Sequence, residues 1–391
     1  MPEMNSPGLH VEETNSSRFP IRGVSTSVRA FVGPTAKGPT GVSAELASFG
    51  EFEGIYGADP SLQFSSGVSV PNYLALAARA FFENGGQQLY VSRVATEMPP
   101  VAADYKKSLA TLDEVKDISI VAAPGSSIFG GDGGAVPSPA QAAAILAELI
   151  AHVSQMRYRF AVLDTPPNYS TSDVQALRSL IDSSYAALYY PWVTVANLTS
   201  DETAVPINVP PSGFVCGVYA RSDAKQGVFK APANLQLMGA VGLERTIQDA
   251  ESSALNGLGI NCLRNFPERG NLVWGARTVS SNSQYKYVNV RRYLAYLEHS
   301  IDLGTQWAVF EPNGSALWDS IRCAIQNFLL AEWRRGGLLG IKATDAFFVR
   351  CDESTMTQTD IDNGQVNCVI GVAVVRPAEF VIFRIGWKIG N

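Results

Sequence analysis

Segments between Ile118 and Val195 alternate in type, and this alternation constrains the fold more than any other feature of the chain. Ile118–Ala122 reads as a strand and Ala140–Met156 as a helix, with Ile145, Leu146, Leu149, Ile150 and Val153 on one stripe. Arg159–Leu163 and Ala187–Val195 read as further strands, separated by a helix over Asp173–Ser183. Strands joined through helices need crossover connections, which implies a parallel sheet covered by helices. The fold class expected is therefore α/β here, in a domain of about residues 95–209 inserted between an N-terminal arm and a C-terminal domain.

The flanks read differently. Residues 1–22 form an arm, in which Leu9, Val11 and Glu13 alternate with polar neighbours but offer too few apolar groups to hold the strand in place. Ser27–Val32 and Leu89–Val94 read as strands around a helix opened by Pro71, with Leu74, Ala77, Ala78, Phe81 and Phe82 on its stripe. These belong to a connecting body of residues 23–94 and 210–258. Gly213–Ala220, Leu235–Leu237 and Leu272–Arg277 also read as strands.

Residues 259–377 are expected to form an α+β core. Its helices are Val288–Leu303 and Ser315–Arg335. In the second, Leu317, Ile321, Ala324, Ile325, Phe328 and Leu329 recur at helical spacing and Gly336-Gly337 close the end. Its strands are Thr344–Cys351 and Val366–Val375. The last segment, 378–391, carries a strand with Phe380, Ile382 and Arg384 on one face and Val381, Phe383, Ile385 and Trp387 on the other. A strand apolar on both faces normally lies inside a sheet, whereas chain ends are usually polar and frayed. Either it docks in its own domain or it is donated to a neighbour's sheet, satisfying an otherwise open edge.

A chain of 391 residues can bury a large core in two or three domains. Only 17% of residues are charged, against about 25% in an average soluble chain, as expected of a surface largely covered by other protein. The formal net charge of −6 and the lack of basic clusters argue against a nucleic-acid partner. No apolar run is long enough to span a bilayer, and the N-terminus MPEMNSPG lacks a signal-peptide pattern. Synthesis and folding in a cytoplasm are expected. Cys216, Cys262, Cys323, Cys351 and Cys368 are scattered in apolar patterns, as small core residues rather than a zinc knuckle or disulfide framework.

Chemistry is sparse. Gly33–Gly38 (GPTAKG) has the glycine spacing of a phosphate loop, but Pro39-Thr40 stand where Lys-Ser/Thr is required. The glycine-rich run Gly130–Gly134 lacks dinucleotide spacing. Asp164 ends a parallel strand, where α/β enzymes place functional groups, yet before Pro166-Pro167 it also suits a turn or cap. His10, His152 and His299 are far apart and stand in no metal or hydrolase pattern. Asp352, Glu353, Asp360 and Asp362 do not match a calcium loop and read as a solvated connection. No catalytic residue, cofactor or metal is expected.

The runs Gly304–Pro312 (GTQWAVFEP), LWDSIRCAIQNFLLAEWRRGGL, DAFFVRCDESTMTQTDIDNGQV and VAVVRPAEFVIFRIG together resemble the C-terminal domain of contractile tail sheath proteins. These are the sheaths of myophage tails, R-type pyocins and related injection machines. The resemblance continues through Pro210–Asn234, Gly259–Arg292, Pro7–Glu13 and Val24–Pro39, while about Ala95 to Val209 shows none. It implies a structural subunit rather than an enzyme, assembling as hexameric rings stacked helically around an inner tail tube, with baseplate and terminator proteins at the ends. It implies a virion tail or phage-tail-like particle assembled in a bacterial host cytoplasm. It also implies arms reaching into adjacent subunits, here Leu9, Val11 and Glu13 and, at the other end, Phe380, Val381, Ile382, Phe383 and Ile385. Tube contact is expected on the polar face of the helix Ser315–Arg335, through Asp319, Arg322, Gln326, Arg334 and Arg335, with Glu332 on the same face. The alternative, an α/β nucleotide-binding enzyme, rests on the strand–helix alternation alone.

Overall fold

The computed structural model describes residues 19–95, 97–129, 137–196 and 205–379. In chain order, β1 (Val28–Gly33), β2 (Ser43–Leu46), α1 (Phe49–Tyr56), β3 (Ser61–Gln63), β4 (Ser69–Pro71), α2 (Tyr73–Glu83) and β5 (Gln88–Arg93) come first. Then follow α3 (Ala102–Ala110), β6 (Ile120–Ala122), α4 (Pro139–Met156), β7 (Phe160–Asp164), α5 (Thr171–Ser179), β8 (Ala186–Tyr190), β9 (Val193–Val195) and β10 (Ile207–Val209). Next are α6 (Ser212–Gln226), β11 (Leu235–Gln236), β12 (Ala240–Leu243), α7 (Asp249–Gly257), β13 (Ile260–Phe266), β14 (Gly270–Val273) and α8 (Val288–Gly304). The chain continues through α9 (Ser315–Arg334), α10 (Ala343–Ala346), β15 (Phe347–Arg350), α11 (Gln358–Asp362) and β16 (Val369–Val372).

Two compact units result. The larger comprises Val24–Glu298 and the segment from Val374; the smaller comprises His299–Ala373 and the segment ending at Gly23. The larger unit is built on a nine-stranded sheet in the order β11-β14-β13-β8-β7-β6-β1-β5-β2. Its six inner strands are parallel and its edges antiparallel, which makes the fold α/β. Side chains alternate across it, as the period of a strand requires. Val28, Ala30 and Val32 of β1 join the layer with α4, while Phe31 joins the layer with α2 and α6.

The expected division at 95 and 209 does not exist in this sheet. β6, β7 and β8, from inside that range, lie between β1 and β13, from outside it. A parallel sheet cannot lose its central strands and close again. The strand expected over Ala187–Val195 is two strands in different sheets. β8 ends before Pro191, and β9 pairs with β10 and β12.

Gly213–Ala220, expected as a strand, lies inside α6. The segment is apolar all round because the helix is buried all round, so it carries no amphipathic period to distinguish it from a strand. Gly213 and Gly217 admit α2: a Cβ at Gly213 would lie 2.6 Å from the Ala77 carbonyl oxygen, and one at Gly217 equally close to that of Phe81.

Arg29 of β1, Asp223 of α6 and Arg292 of α8 form a buried ionic group. Asp223 Oδ2 accepts from Arg29 at 3.3 Å and Oδ1 from Arg292 at 3.0 Å. Arg292 also stacks over Tyr219, 4.8 Å from the ring centroid, and the Tyr219 hydroxyl meets that of Tyr189 at 2.5 Å.

In the smaller unit, α9 buries Leu317, Trp318, Ile321, Ala324, Ile325, Phe328 and Leu329. β15 and β16 form an antiparallel pair with Phe347 opposite Val372 and Arg350 opposite Val369. Residues expected at the start of the first strand, Thr344–Ala346, belong instead to α10.

Candidate functional site

The first candidate is the crevice where ligands bind in open α/β sheets. Counted along the chain, the six parallel strands run in the order two-one-three-four-five-six, so the topological switch lies between β1 and β6. The chain leaves these strands through Gly33-Pro34 and Pro124-Gly125. Both turns are covered by Leu62, Val70, Tyr73, Leu74 and Phe129, which leave a cavity of about 10 Å³, the size of one water. Phe129 packs edge-on against Phe64 at 5.9 Å, and Tyr73 against Trp192 at 5.1 Å. Gly125 has φ of 76°, and a Cβ there would strike Tyr73. The GPTAKG loop folds onto the end of α1, where Lys37 N donates to the Tyr56 carbonyl at 3.1 Å. The crevice is closed by apolar side chains.

Asp164, at the end of β7, is a cap. Its Oδ1 accepts from Ser212 N at 2.7 Å and its Oδ2 from Ser212 Oγ at 2.6 Å. It therefore satisfies orphan donors at the start of α6, which has no capping side chain of its own. Burial pushes its carboxyl up to about 7, against the pull of the two Ser212 bonds. His152 meets Arg159 Nη1 at 2.7 Å, while His299 lies in the other unit and His10 outside the described residues. Asp352 and Asp360 accept bonds from their own turns, Ser354 N and Thr357 N. Among the described residues no group of three or more His, Cys, Asp or Glu could hold a metal, and no helix is long and apolar enough to cross a membrane.

The features without an internal explanation lie at surfaces. All the expected arm residues, Leu9, Val11, Glu13, Phe380, Val381, Ile382, Phe383 and Ile385, fall outside the described residues. Their roots are described, and both are fastened. In the smaller unit Phe19 stacks on Trp307 with centroids 4.3 Å apart. Ile21 is buried against the end of α8, where a Cβ on Gly304 would lie 2.7 Å from it. In the larger unit Glu379, the residue before Phe380, is gripped by Arg277 through Nε–Oε1 at 2.7 Å and Nη2–Oε2 at 2.5 Å. Tyr287 donates to the same carboxylate at 3.2 Å, and Asn289 Nδ2 donates to the Val375 carbonyl at 3.0 Å. Burial disfavours the Glu379 charge, but the Arg277 bonds and charge outweigh it and hold the carboxyl below its ordinary range. Sequence reading missed this fork, because 102 residues separate its partners.

The β15–β16 pair has two strands only, so among the described residues both outer edges lack a strand partner. A two-stranded sheet is marginal alone. One face packs on α9 through buried Val349; on the other, Phe348 is half exposed and lies over Gly371, where a Cβ would sit 2.2 Å from the ring. Phe310 is fully exposed and holds φ at 69°, a left-handed value unusual for an aromatic residue. No periodic pattern announced it.

On α9, Asp319, Arg334 and Arg335 are exposed and Arg322 and Gln326 half-buried. Arg322 pairs with Asp319 at 2.5 Å. Glu332 is not on this free face: it is buried and bound to Arg335 at 2.9 Å. Cys323 is exposed and Cys368 half-buried, whereas Cys216, Cys262 and Cys351 are buried as expected.

Comparison with known proteins identifies the family. The family model for the phage tail sheath protein central domain matches residues 100–279, and that for the phage tail sheath C-terminal domain matches residues 280–388. The first takes in residues 100–209 of the stretch, from about Ala95 to Val209, that carries no visible resemblance in the sequence. A prophage major tail sheath protein of Pseudomonas aeruginosa is 24% identical over 182 residues, 45% of each chain. The tail sheath protein of Vibrio phage KVP40 is 26% identical over 179 residues, 45% of this chain and 25% of that one. The matches thus span less than half the length of these curated relatives. A chain of the cryo-EM structure of the anti-feeding prophage helical sheath in the contracted state is 30% identical, with a TM-score of 0.77 over 98% of this chain and 100% of that one. A chain of the extracellular contractile injection system PVC sheath complex, also contracted, is 29% identical with the same TM-score over 99% of both. The chain belongs to the contractile tail sheath protein family and is a structural sheath subunit of a contractile injection system.

Proposed function

We propose that this subunit polymerises as hexameric rings stacked around an inner tail tube, and that the sheath contracts to drive the tube through a target cell envelope. The observation that carries the reading is the near-complete match to a contracted sheath, together with two fastened arm roots and a sheet of two strands that has no third strand among the described residues. Leu9–Glu13 and Phe380–Ile385 add as strands to such sheets in adjacent subunits, supplying the backbone partners that the open edges lack. Rigid bodies linked by added strands can slide and rotate without losing connection. A gain of a few kcal/mol per subunit, the scale of a modest interface change, sums over many copies into work.

The partners on this reading are other copies of the chain, the inner tube protein, and baseplate and terminator proteins. The particle is a virion tail or a phage-tail-like injector assembled in a bacterial cytoplasm. The nucleotide-binding alternative has no support from the switch-point crevice, which apolar side chains fill.

Deleting residues 1–16 tests the reading. The variant is expected to retain its thermal transition and to form no sheath by electron microscopy. Contractile tubes assembled from it would refute strand exchange through the N-terminal arm.

A further inference from the structure

Cys351 and Cys368 are 17 positions apart in sequence and bear no motif, yet the sheet brings them face to face. The β15–β16 register pairs Val349 with Ile370 and Arg350 with Val369, and Cys351 and Cys368 follow at the next position, just past the ends of the two strands. The type of pair follows from one hydrogen bond. Ala373 N donates to the Ala346 carbonyl at 2.8 Å, which makes Ala346 and Ala373 a hydrogen-bonded pair. Such pairs alternate along an antiparallel ladder with non-hydrogen-bonded ones. Phe348–Gly371 and Arg350–Val369 are then hydrogen-bonded, and Cys351–Cys368 is of the other kind. Residues in non-hydrogen-bonded pairs have Cα atoms about 4.5 Å apart and side chains closest together, within the span a disulfide bridges. The proximity is felt electrostatically, since the Cys368 thiol lowers the Cys351 thiol and is itself raised by it. Both cysteines are free thiols.

We propose that Cys351 and Cys368 are an oxidation site, forming a cross-strand disulfide in the smaller unit when the particle meets a low-molecular-weight disulfide. Cys368 is half-buried and Cys351 buried, so the small disulfide arrives from the Cys368 side. One protein thiolate attacks it, forming a mixed disulfide and releasing one small thiol. The second protein thiolate attacks the mixed disulfide at the protein sulfur and releases the other. Two protein thiols are thereby oxidised and one small disulfide is reduced to two thiols, the two protons lost by the cysteines being taken up by the released small thiolates. The neighbouring Cys368 thiol, aided by the Arg322 charge, lowers the Cys351 thiol, which favours the thiolate the exchange needs. The bond would join the two strands of the open-edged sheet covalently at one end and fix their register.

The experiment uses the full chain carrying Cys323→Ser, since Cys323 is the exposed thiol that would otherwise react. The protein is incubated with oxidised glutathione, the remaining thiols are alkylated, and the digest is read by mass spectrometry. No Lys or Arg lies between Cys351 and Arg376, so trypsin leaves both cysteines in one peptide. The expected product is that peptide lighter by two hydrogens and unalkylated, with its halves held together after cleavage at Asp360 until a reductant is added. Its thermal midpoint should rise on oxidation and return on reduction. Cys368→Ser should abolish both changes. Full alkylation of both cysteines after oxidation, or stable glutathione adducts at Cys368 without closure, would overturn the proposal.

Discussion

Asp164 and Asp223 show how buried charges shape this chain residue by residue. A carboxyl whose folded pKa is raised contributes stability that is complete below its unfolded value, 3.8, and is lost as pH rises through about 7. His152 runs in the opposite sense. Burial and the neighbouring Arg159 charge lower it to about 4, so its contribution is present above about pH 6.5 and lost as pH falls toward 4. Between about pH 4 and 6.5 the two slopes oppose each other. Asp164→Asn removes the first alone, and stability should then rise with pH across that window more steeply than in the wild type. Urea midpoints at several pH values check this, and parallel profiles would show that Asp164 does not hold a proton on folding. Asp223 carries a larger stake, since it alone compensates both Arg29 and Arg292. Asp223→Ala should cost about 3–5 kcal/mol in chemical denaturation, because two guanidinium groups stay buried without their counter-charge. Arg29→Met should cost far less, since Asp223 and Arg292 remain paired and Arg29 Nε already lacks a partner.

Among the elements, α6 is the one whose neighbours depend on what it lacks. Gly213→Ala raises intrinsic helix propensity by about 1 kcal/mol, but the new methyl would meet the Ala77 backbone at 2.6 Å. The expected outcome is net destabilisation by about 1–3 kcal/mol, read from the thermal transition; a stabilised variant would mean that α2 and α6 can separate freely. The same packing explains what could be read beforehand. Helices α4 and α9 keep one wet face, so their apolar stripes were legible. A helix buried on every side has no such stripe, and its valines and aromatics imitate a strand. Ile260–Phe266 escaped for the converse reason: Asn261, Arg264 and Asn265 break the apolar run. Asn261 is satisfied only by the fold, through the carbonyls of Leu188 and Arg277. The cap on Asp164 was legible as a cap, but its recipient, Ser212, lies 48 residues away. The Arg277–Glu379 fork belongs to the same class of long-range pair.

At the scale of the whole molecule, the proposed function requires a subunit that holds the tube before firing and lets go afterwards, and this bears on where the tube contact lies. A broad apolar surface would bind too tightly to release. Exposed charged contacts are worth about 0–1 kcal/mol each and weaken with salt, so a ring of them holds collectively and yields when the ring moves. The face of α9 that carries Asp319, Arg322, Gln326, Arg334 and Arg335 has this character, and we propose it as the tube-facing surface. Not every residue on it is equally free. Arg322 is partly buried and paired with Asp319, and Arg335 with Glu332, which leaves Arg334, in the last turn where the helix dipole also favours a cation, as the cation of this face with no ion pair among the described residues. Reversing Arg322 and Arg334 to Glu together, with Arg335 kept as the partner of buried Glu332, should leave the fold intact and abolish extended sheath on purified tube, while empty contracted sheath still forms. Reversing Arg334 alone should weaken tube-bound assembly and shift its salt sensitivity in the same direction by a smaller amount. Electron microscopy of co-assembled sheath and tube over a salt series reads both. Extended sheath forming around the tube as in the wild type, with unchanged salt dependence, would remove α9 as the contact and direct attention to exposed Phe310 instead.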